Sequence, residues 1–250
     1  MKEGYSAIAP VYDRLGAHID YTAYADLIER EAASHGIEKG ALALDVGCGT
    51  GVLTTLLSER GFDMIGVDGS AEMLNEAMNR GYAAGQSILW LRQDMRSFEL
   101  YGTVKLICCT VDCFNYLLTK RDAEDFLWAV RNYLEPGGVF IFDTHTRRQF
   151  EQVFGNRDYI LEDGDDLCCW QNRYREKTGI CDFRLSVFRR QPDGSYRRAD
   201  ETQREKLWSD RTIASMLEKY DLSIGKKLSD LQGTPASDAD LRHYWICVRK

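Results

Sequence analysis

LALDVGCGTG, residues 42–51, joins an apolar run containing one aspartate to a turn with three glycines in five positions. The run predicts a buried strand, and residues 51–60 carry apolar side chains at helical spacing. Glycine permits a sharp turn and close approach of a ligand, while the first N–H groups of a helix lack partners within it. The stretch therefore predicts a strand, a ligand-binding loop and a helix. A buried turn that needs glycine for packing is the simpler alternative.

Three kinds of ligand suit a glycine-rich loop at this place. A dinucleotide site has the spacing G-x-G-x-x-G, but here the third glycine comes one position early, which disfavours a nucleotide-dependent oxidoreductase. A phosphate-binding P-loop needs a lysine after its glycines, and none follows. The third kind is a nucleoside without phosphate, such as S-adenosylmethionine (SAM). Asp45 would then hold the N–H groups of the loop or, directly or through water, the ammonium group of the ligand.

Size and charge limit the function classes. The chain has 250 residues, of which 44% are hydrophobic and 28% charged, as in an ordinary globular protein. Its net charge of −7 disfavours a general nucleic-acid binder, which contacts phosphates through lysine and arginine. No run approaches the roughly 18 apolar residues that a membrane span needs, and the start of the sequence lacks the apolar segment of a signal peptide. We therefore expect a cytoplasmic protein without a membrane partner.

The eight cysteines and four histidines do not form a metal-binding pattern. Cys108 and Cys109 are adjacent, as are Cys168 and Cys169, but no Cys-x-x-Cys pair occurs and the histidines are scattered. Structural zinc sites usually have paired ligands at short spacing. Most of the cysteines lie in apolar runs, where a thiol behaves as a small apolar side chain. We therefore expect no metal.

Strands and helices alternate along the first part of the chain. Further strands are predicted at 63–68, 88–94, 104–110 and 139–144, and helices at 51–60, 70–81 and 122–134. Such alternation is typical of α/β domains with a mostly parallel sheet and helices on both faces. Ligands of these sheets bind beyond the carboxyl ends of the strands, where the strand order reverses.

The pattern changes after residue 149. Alternating or extended segments at 167–175, 180–190 and 195–208 predict an antiparallel insert, and a helix at 209–220 and strands at 222–231 and 242–250 follow it. We expect residues 1–149 and 209–250 to form one core domain. Residues 150–208 would then form a lid laid over one end of it.

Two further acids follow the next strands of the predicted sheet. Asp68 ends the second strand, 21 residues after Gly47, where an acid can accept hydrogen bonds from both ribose hydroxyls. Asp94 follows the third strand, placed for the exocyclic amine of adenine with Met95 as an apolar cover. The simpler alternatives are a helix cap for Asp68 and a surface acid for Asp94. With Asp45, these acids predict a line of carboxylates along the crevice.

The motifs LDVGCGTG, IGVDGSAEML, LRQDMRSF and LEPGGVFIFD resemble those of class I SAM-dependent methyltransferases. The resemblance is strong over about residues 40–145 and continues in the strand pattern of 209–250. It implies a Rossmann-like, doubly wound α/β sheet of seven strands in the order 3-2-1-4-5-7-6, with strand seven antiparallel and an antiparallel β insert after strand five. The segments YSAIAPVYDRL and VDCFNYL and the insert resemble a subgroup of bacterial small-molecule methyltransferases, similar in layout to sugar-amine N-methyltransferases.

The resemblance implies SAM as the methyl donor, S-adenosylhomocysteine (SAH) as the product, and a small-molecule acceptor with a nitrogen or oxygen nucleophile. The residues expected to bind the cofactor are Tyr12, Asp45, Gly47, Cys48, Gly49, Asp68, Gly69, Met73, Asp94, Met95 and Thr110. The residues expected at the acceptor are Asp112, Asn115, Tyr116 and Arg147, and those expected in catalysis are His145, Tyr5 and Asn115. A nucleic-acid methyltransferase and a SAM-binding protein without transferase activity stay open, as does the choice between a monomer and a homodimer through the insert.

The catalytic expectations have physical reasons. Tyr5 and Tyr12 share one face of a predicted N-terminal helix, from which a ring could contact the sulfonium by a cation–π interaction. His145, just past the fifth strand, has a side chain that titrates near neutrality and could take a proton from an amine or a hydroxyl. The arginine at 147 could meet an anionic acceptor. Core packing, a structural histidine and a solvated surface are the simpler alternatives for these residues.

Overall fold

The computed structural model describes residue 9, residues 12–16 and residues 18–250. The strands are β1 (Leu42–Val46), β2 (Asp63–Asp68), β3 (Leu89–Arg92), β4 (Val104–Cys109), β5 (Leu134–His145), β6 (Asp158–Asp163), β7 (Asp166–Arg175), β8 (Ile180–Arg190), β9 (Tyr196–Lys206), β10 (Leu222–Leu228) and β11 (Arg242–Arg249). The α-helices are α1 (Tyr12–Leu15), α2 (Tyr21–Ser34), α3 (Val52–Glu59), α4 (Ala71–Ala83), α5 (Lys120–Tyr133) and α6 (Asp210–Lys219). A 3₁₀ helix, Cys113–Tyr116, and a π-helical turn, Gln149–Phe154, complete the elements. None of these helices has the length and apolar character that a membrane span requires.

The main sheet has seven strands in the order β10-β11-β5-β4-β1-β2-β3. Strands β1 to β5 pair in parallel, whereas β11 is antiparallel to both β5 and β10. The predicted order 3-2-1-4-5-7-6 is confirmed, with β11 as strand seven and β10 as strand six. The order reverses between β1 and β4, and at such a point the loops after the two strands separate and leave a crevice at the carboxyl edge.

Apolar layers cover both faces of this sheet. On one face, Leu27 of α2 and Leu57 of α3 are fully buried in a cluster with side chains of the central strands. On the other face, Phe142 lies between Phe140 and Trp245, with ring centroids 4.8 and 5.8 Å apart. Each buried side chain of this kind contributes roughly 1.5–3 kcal/mol of hydrophobic free energy. The two layers therefore fix the strands whose ends form the site.

Side-chain caps set where three of the helices begin. Thr119 and Asp122 form a reciprocal capping box at the start of α5. Ser70 accepts the N–H of Met73 at α4, and Ser209 caps α6 in the same way, each at 3.2 Å. Caps of this type stabilise a helix by about 1 kcal/mol each. The start of α4 is thereby fixed directly after Asp68, beside the predicted crevice.

Three elements differ from the sequence prediction. The sequence pattern does not reveal α2 or the short strand β6, in which charged residues flank the apolar run 159–161. Strand β5 begins at Leu134, five residues before the predicted start, although Pro136 and two glycines follow. The reason is that Leu134 pairs with Val104 of β4 and Val139 pairs with Leu106, and a bulge absorbs the extra residues between them.

Strands β6 to β9 form a second, antiparallel sheet in that order, as the resemblance predicts for the segment after β5. On β8 the side chains of Cys181, Phe183, Leu185 and Val187 are buried and the residues between them are not, which is the predicted period of two. This buried face packs on Phe150 and Phe154 of the π-helical turn.

Two side chains after β4 join the second sheet to the main one. The amide nitrogen Nδ2 of Asn115 donates to the carbonyl of Lys206 at 2.8 Å. The hydroxyl of Tyr116 donates to Oε1 of Gln203, also at 2.8 Å. Strand β9 is therefore held against the carboxyl edge of the main sheet.

Trp90 of β3 lies across glycines of the elements beside the loop. A β-carbon at Gly66 of β2 would come within 2.4 Å of the Trp90 ring, and one at Gly51 would come within 2.7 Å. Gly81 of α4 is in ordinary contact with the ring, at 3.4 Å. The indole therefore fills the volume that the missing side chains leave and packs the glycine loop against β2.

We expect Gly66→Ala to lower the free energy of unfolding by about 1–3 kcal/mol, because the Trp90 ring must move to admit the methyl group. The matched control is Gly102→Ala, since a β-carbon there has no neighbour within 4 Å. Neither glycine has a left-handed φ, so steric crowding alone separates the two variants. Urea denaturation measures the difference, and equal destabilisation in both variants would contradict it.

Candidate active site

A cavity of about 600 Å³ opens at the carboxyl ends of the central strands. This volume is within the range of small-molecule and cofactor pockets. All eleven residues predicted to bind the cofactor lie in its wall: Tyr12, Asp45, Gly47, Cys48, Gly49, Asp68, Gly69, Met73, Asp94, Met95 and Thr110. The position of the cavity is the crevice that the strand order predicts.

The loop between β1 and α3 requires its glycines. Gly47, Gly49 and Gly51 have φ values of +75°, +54° and +74°, a backbone conformation that residues other than glycine rarely adopt. A β-carbon at Gly47 would also come within 2.5 Å of Sγ of Cys113. The N–H groups of Gly47 and Cys48 both donate to the carbonyl of Val67, at 2.7 and 3.0 Å. The loop is thus folded tightly over the end of β2.

Asp68 braces this loop with both carboxylate oxygens. Oδ2 accepts the N–H of Gly49 at 2.9 Å, and Oδ1 accepts the N–H of Ser70 at 2.8 Å. Burial raises the pKa of the carboxyl, and the backbone hydrogen bonds act in the opposite direction. Each carboxylate oxygen has a second lone pair, so Asp68 can still accept from hydroxyl groups of a ligand. The sequence leaves two roles open for Asp45, holding the N–H groups of the loop or binding the ammonium group of the ligand, and in the structure Asp68 makes the contact with Gly49.

Asp45 is instead an almost fully buried carboxyl in the floor of the cavity. Its oxygens accept from Oγ1 of Thr54 at 2.6 Å and from Sγ of Cys108 at 3.6 Å. Burial raises its pKa to about 6. No basic side chain among the described residues forms an ion pair with it, which leaves an ionised Asp45 short of positive charge. An ammonium group of a ligand would supply that charge.

The N-terminal helix α1 is docked on the same loop. Asp13 accepts from Oγ1 of Thr50 at 2.5 Å and forms an ion pair with Arg80 of α4. These contacts bring Tyr12 into the cavity wall. Tyr5 and the rest of the predicted helix face lie outside the described residues, and the role of Tyr5 stays a prediction.

Asp94 lies at the outer wall of the cavity, where its carboxylate is held by Arg96. Nε of Arg96 donates to Oδ1 at 2.8 Å, and a second nitrogen of the guanidinium contacts Oδ2. These hydrogen bonds lower the pKa of Asp94. Met95 lines the cavity beside it. The contact between Asp94 and an adenine amine stays a prediction.

The chain after β4 is strained at the edge of the cavity. Val111 and Asp112 both have a φ of +55°, which is unusual for any residue with a β-carbon and rare for valine. The carboxylate of Asp143 on β5 holds them, because it accepts the N–H of Val111 at 2.6 Å and that of Asp112 at 2.9 Å. Such strain persists only where the surroundings fix it, and it is common at functional sites. Here it turns the side chain of Asp112 away from the cofactor cavity.

Arg242, the first residue of β11, joins these carboxylates. Its guanidinium donates to Oδ1 of Asp112 at 2.7 Å and also forms an ion pair with Asp143. The sequence prediction does not include Arg242. The signal that could have found it is the antiparallel strand seven, since its first residue must lie at the carboxyl end of β5, where Arg242 pairs with His145.

A second cavity, of about 180 Å³, adjoins the first one. Tyr12, Val111 and Tyr116 belong to the walls of both. The second cavity is lined on the core side by Asp112, His145 and Arg242 and on the insert side by Trp170, Phe183, Leu185, Gln203 and Glu205. A molecule in it would therefore lie between the core and the insert, next to whatever fills the larger cavity.

His145 is buried in the wall of this second cavity. Its Nε2 lies 3.3 Å from Oδ1 of Asp112 and 3.9 Å from Oε2 of Glu205. Burial and the charge of Arg242 lower the pKa of His145, so that the ring is neutral at pH 7. The Arg242 guanidinium and a hydrogen bond with His145 hold the pKa of Asp112 well below its usual value, in spite of its burial.

Comparison with known proteins identifies the family. A family model described as a methyltransferase domain matches residues 43–138. The protein YqeM of Bacillus subtilis (strain 168), which is named as a methyltransferase, is 32% identical over 238 residues, 93% of this chain and 92% of that protein. The crystal structure of an S-adenosylmethionine-dependent methyltransferase from Clostridium acetobutylicum ATCC 824 superposes with a TM-score of 0.89, at 29% identity and 98% coverage of both chains. The chain belongs to the S-adenosylmethionine-dependent methyltransferases.

Other methyltransferases resemble parts or the whole of this one. A glycine/sarcosine N-methyltransferase of Halorhodospira halochloris is 33% identical over 125 residues, which is 49% of this chain and 43% of that protein. The sugar N-methyltransferase KedS8 from Streptoalloteichus sp ATCC 53650 has the same fold, with a TM-score of 0.79 at 20% identity and coverage of 100% and 95%. SAM is accordingly the cofactor of this methyltransferase.

Two of the residues predicted at the acceptor of this methyltransferase do not line either cavity. Asn115 is fully buried, and both ends of its amide bind the backbone, since Oδ1 accepts the N–H of His145 at 3.0 Å and Nδ2 reaches Lys206. It is a positioning residue. The side chain of Arg147 is 65% exposed and pairs with Glu151 at 2.8 Å, as expected for a solvated surface residue. Asp112, Tyr116 and His145 do line the second cavity.

We expect Asp45→Asn to stabilise this methyltransferase at high pH. Because the carboxyl pKa of about 6 in the folded state exceeds the usual value, ionised Asp45 opposes folding above pH 6, and this cost disappears as pH falls toward 4. The gain of the variant over the wild type should therefore be about 1–2 kcal/mol larger at pH 8 than at pH 5.

Urea denaturation at the two pH values measures this gain. Asp63→Asn is the matched control, because Asp63 is the exposed first residue of the neighbouring strand β2. A constant difference between Asp45→Asn and wild type at both pH values would contradict the raised pKa.

Proposed function

We propose that this methyltransferase transfers the methyl group of SAM to a nitrogen or oxygen atom of a small-molecule acceptor bound in the second cavity. The observation that carries the proposal is that the two cavities adjoin at Tyr12, Val111 and Tyr116. A cofactor in the larger cavity and an acceptor in the smaller one would meet at these three residues. When bound, SAM supplies a methyl carbon on a sulfonium, which an acceptor lone pair can attack in line.

The side chains that line the larger cavity fit SAM better than a phosphate-bearing nucleotide. Asp45 is a buried carboxyl without a basic partner among the described residues, which suits the ammonium group of a methionine moiety. Asp68 offers carboxylate oxygens at the end of β2, which suits ribose hydroxyls. Met73 and Met95 provide apolar walls for a base. A phosphate would be repelled by the carboxylates along this edge.

The insert would supply alignment and exclusion of water. The contacts of Asn115 and Tyr116 with β9 hold the insert over the second cavity. Alignment of the reacting atoms can contribute up to roughly 7–11 kcal/mol to a displacement of this kind, and exclusion of water strengthens the electrostatic interactions inside. No covalent intermediate with the protein is required for it.

A nucleic acid is the less favoured acceptor. The second cavity holds about 180 Å³ and is walled by the insert, so a base on a polymer would have to pass beneath β9. The net charge of −7 also opposes contacts with phosphates. We propose the cytoplasm as the site of action, because all eight cysteines are free thiols, as is usual in a reducing compartment.

We expect Asp68→Ala to weaken binding of SAH about 10–100-fold, because a charged hydrogen-bond acceptor for the ribose is lost, worth roughly 1.5–3 kcal/mol. Asp68→Asn keeps an oxygen for one loop N–H and should lose less affinity. Isothermal titration calorimetry with SAH measures both, and Asp63→Ala, an exposed residue on the same strand, is the control.

Thermal melting of each variant separates loss of the ligand contact from loss of the loop. Unchanged SAH affinity in a folded Asp68→Ala protein would show that the cofactor does not bind to this carboxylate. Turnover is then followed as SAH formation with amines, alcohols, carboxylic acids and RNA in parallel. Methylation of RNA alone would overturn the small-molecule acceptor.

A further inference from the structure

We infer that Glu205 of β9 binds the methyl acceptor as an ammonium ion and takes a proton from it, so that the acceptor is a small primary or secondary amine without a carboxylate. The inference rests on the proposed function, because it names the acceptor class for the same cavity. It assigns the decisive contact to the insert rather than to the Rossmann-like core.

Glu205 is a buried acid that faces the second cavity. Its side chain is only 5% exposed, and it lies in the cavity wall. Among the described residues Oε2 has no hydrogen-bond donor as a partner, and His145 Nε2 is 3.9 Å away. The carboxyl group of Glu205 also contacts that of Asp112. A buried carboxylate oxygen without a donor is costly, and a ligand that brings an N–H group would remove the cost.

Among the described residues, the charged and titratable groups around Glu205 include one permanent cation, Arg242, which forms no ion pair with it. Those that face it are Asp112, Asp143, His145 and Arg242 from the core and Cys181 from the neighbouring strand β8. Arg242 is already shared between Asp112 and Asp143, and His145 is neutral at pH 7. Three carboxyl groups thus meet one guanidinium, and an ammonium ion is the charge that would balance the set.

The rest of the cavity wall also suits a cation. Phe154, Trp170, Phe183 and Tyr12 bring aromatic rings to it. Aromatic faces attract ammonium groups by about 0.5–2 kcal/mol, more when the site is desolvated. An alcohol would gain the apolar contact with these rings but not the ion pair with Glu205.

A carboxylate on the acceptor would find no cation here. Among the described residues that line the second cavity, the basic ones are His18, His145 and Arg242. His18 is exposed to solvent, His145 is neutral, and Arg242 is engaged by two aspartates. An amino acid bound with its carboxylate beside Glu205 would add a fourth negative group to the cluster. The structure therefore favours an amine that lacks this group.

A metal ion is the competing explanation of the same cluster. Ligand atoms of Asp112, His145 and Glu205 lie within 4.8 Å of one another. However, Nη2 of Arg242 is 2.7 Å from Oδ1 of Asp112 and 3.4 Å from Nε2 of His145. A divalent ion held by those two atoms would be repelled by the guanidinium at close range. The cluster is built around Arg242, which leaves Glu205 for the ligand.

An N–H bond of the acceptor ammonium breaks, an O–H bond forms on Glu205, and the nitrogen keeps the electron pair. That pair forms the bond to the methyl carbon, and the electrons of the carbon–sulfur bond leave with the sulfur of SAH. Burial and the neighbouring carboxylate of Asp112 raise the pKa of Glu205 well above its usual value, which favours transfer of a proton to it.

The test uses Glu205→Gln in the full chain, with benzylamine and cyclohexylamine as probes. For the wild type we expect kcat/KM for the amine to fall at both low and high pH, because one proton must be shared between Glu205 and the acceptor. The variant should lose about 100-fold or more at pH 7 and regain about tenfold per pH unit up to the pKa of the amine, since only neutral amine then reacts.

Two controls separate this role from a structural one. Glu201→Gln removes a buried carboxyl from the same strand that does not line the second cavity, and it should leave the pH profile unchanged. Glu205→Asp retains a carboxylate. Its kcat/KM should still fall at both low and high pH, as in the wild type, but should be lower at every pH. If Glu205→Gln does not fold, the affinity of the wild type for benzylamine compared with benzyl alcohol still tests the inference.

Binding gives a readout that does not depend on turnover. By calorimetry with the cofactor-free protein at pH 7, we expect benzylamine to bind at least about tenfold more tightly than benzyl alcohol, and Glu205→Gln to abolish the preference. Equal affinities in the wild type, or a Glu205→Gln pH profile parallel to that of the wild type, would overturn the inference.

The outcomes distinguish the inference from the proposed function. Methylation of alcohols or carboxylic acids but not of amines would overturn the amine inference and leave small-molecule methyl transfer intact. Binding of Mn²⁺ that requires Glu205, with turnover abolished by EDTA, would overturn it in favour of a metal site. Absence of SAH formation with every small molecule, in a protein that binds SAH, would count against both.

Discussion

A carboxylate removed from water needs a positive charge or several hydrogen-bond donors, and this constraint shapes the carboxyl edge of the main sheet. Asp45, Asp68 and Asp143 stand at the ends of three parallel strands, and each meets the requirement differently. Asp45 uses a threonine hydroxyl and a thiol, Asp68 uses two backbone N–H groups, and Asp143 uses two backbone N–H groups and a guanidinium. Two of these carboxylates therefore fix the loops that follow β1 and β4, which is how the edge becomes a preorganised site.

The ion pairs of Arg242 serve to position the chain after β4 more than to stabilise the fold. A buried pair gains little net free energy, because desolvation of the charges cancels most of the attraction. What Arg242 and Asp143 achieve is to hold Val111 and Asp112 in a left-handed backbone conformation that neither residue favours. The turn directs Asp112 to the second cavity and places Val111 in the walls of both cavities.

The residues foreseen from the sequence are those whose roles follow from short segments. Asp68 ends a strand and precedes a helix cap, so its place at the cavity can be derived from about ten residues around it. Arg242 and Glu205 depend instead on pairing across long stretches of chain, Arg242 with β5 and Glu205 through the register of β9 on β8. Asp45 and Asp68 show a finer limit, since both reach the same loop and only side-chain geometry decides which one binds its N–H groups.

Family membership likewise gives information on the cofactor site but not on the residues that distant strands bring to the second cavity. The family model covers residues 43–138, which contain all but the first residue of β1, strands β2 to β4, the glycine loop, Asp45, Asp68 and Asp94. It ends before Asp143 and His145 and includes neither Arg242 nor Glu205. Membership therefore identifies the methyl donor, because the donor is held by the segment that the family shares. On the proposed function the acceptor would also contact elements outside that segment, so two methyltransferases with the same cofactor site could differ in acceptor through a few residues of β9 and β11.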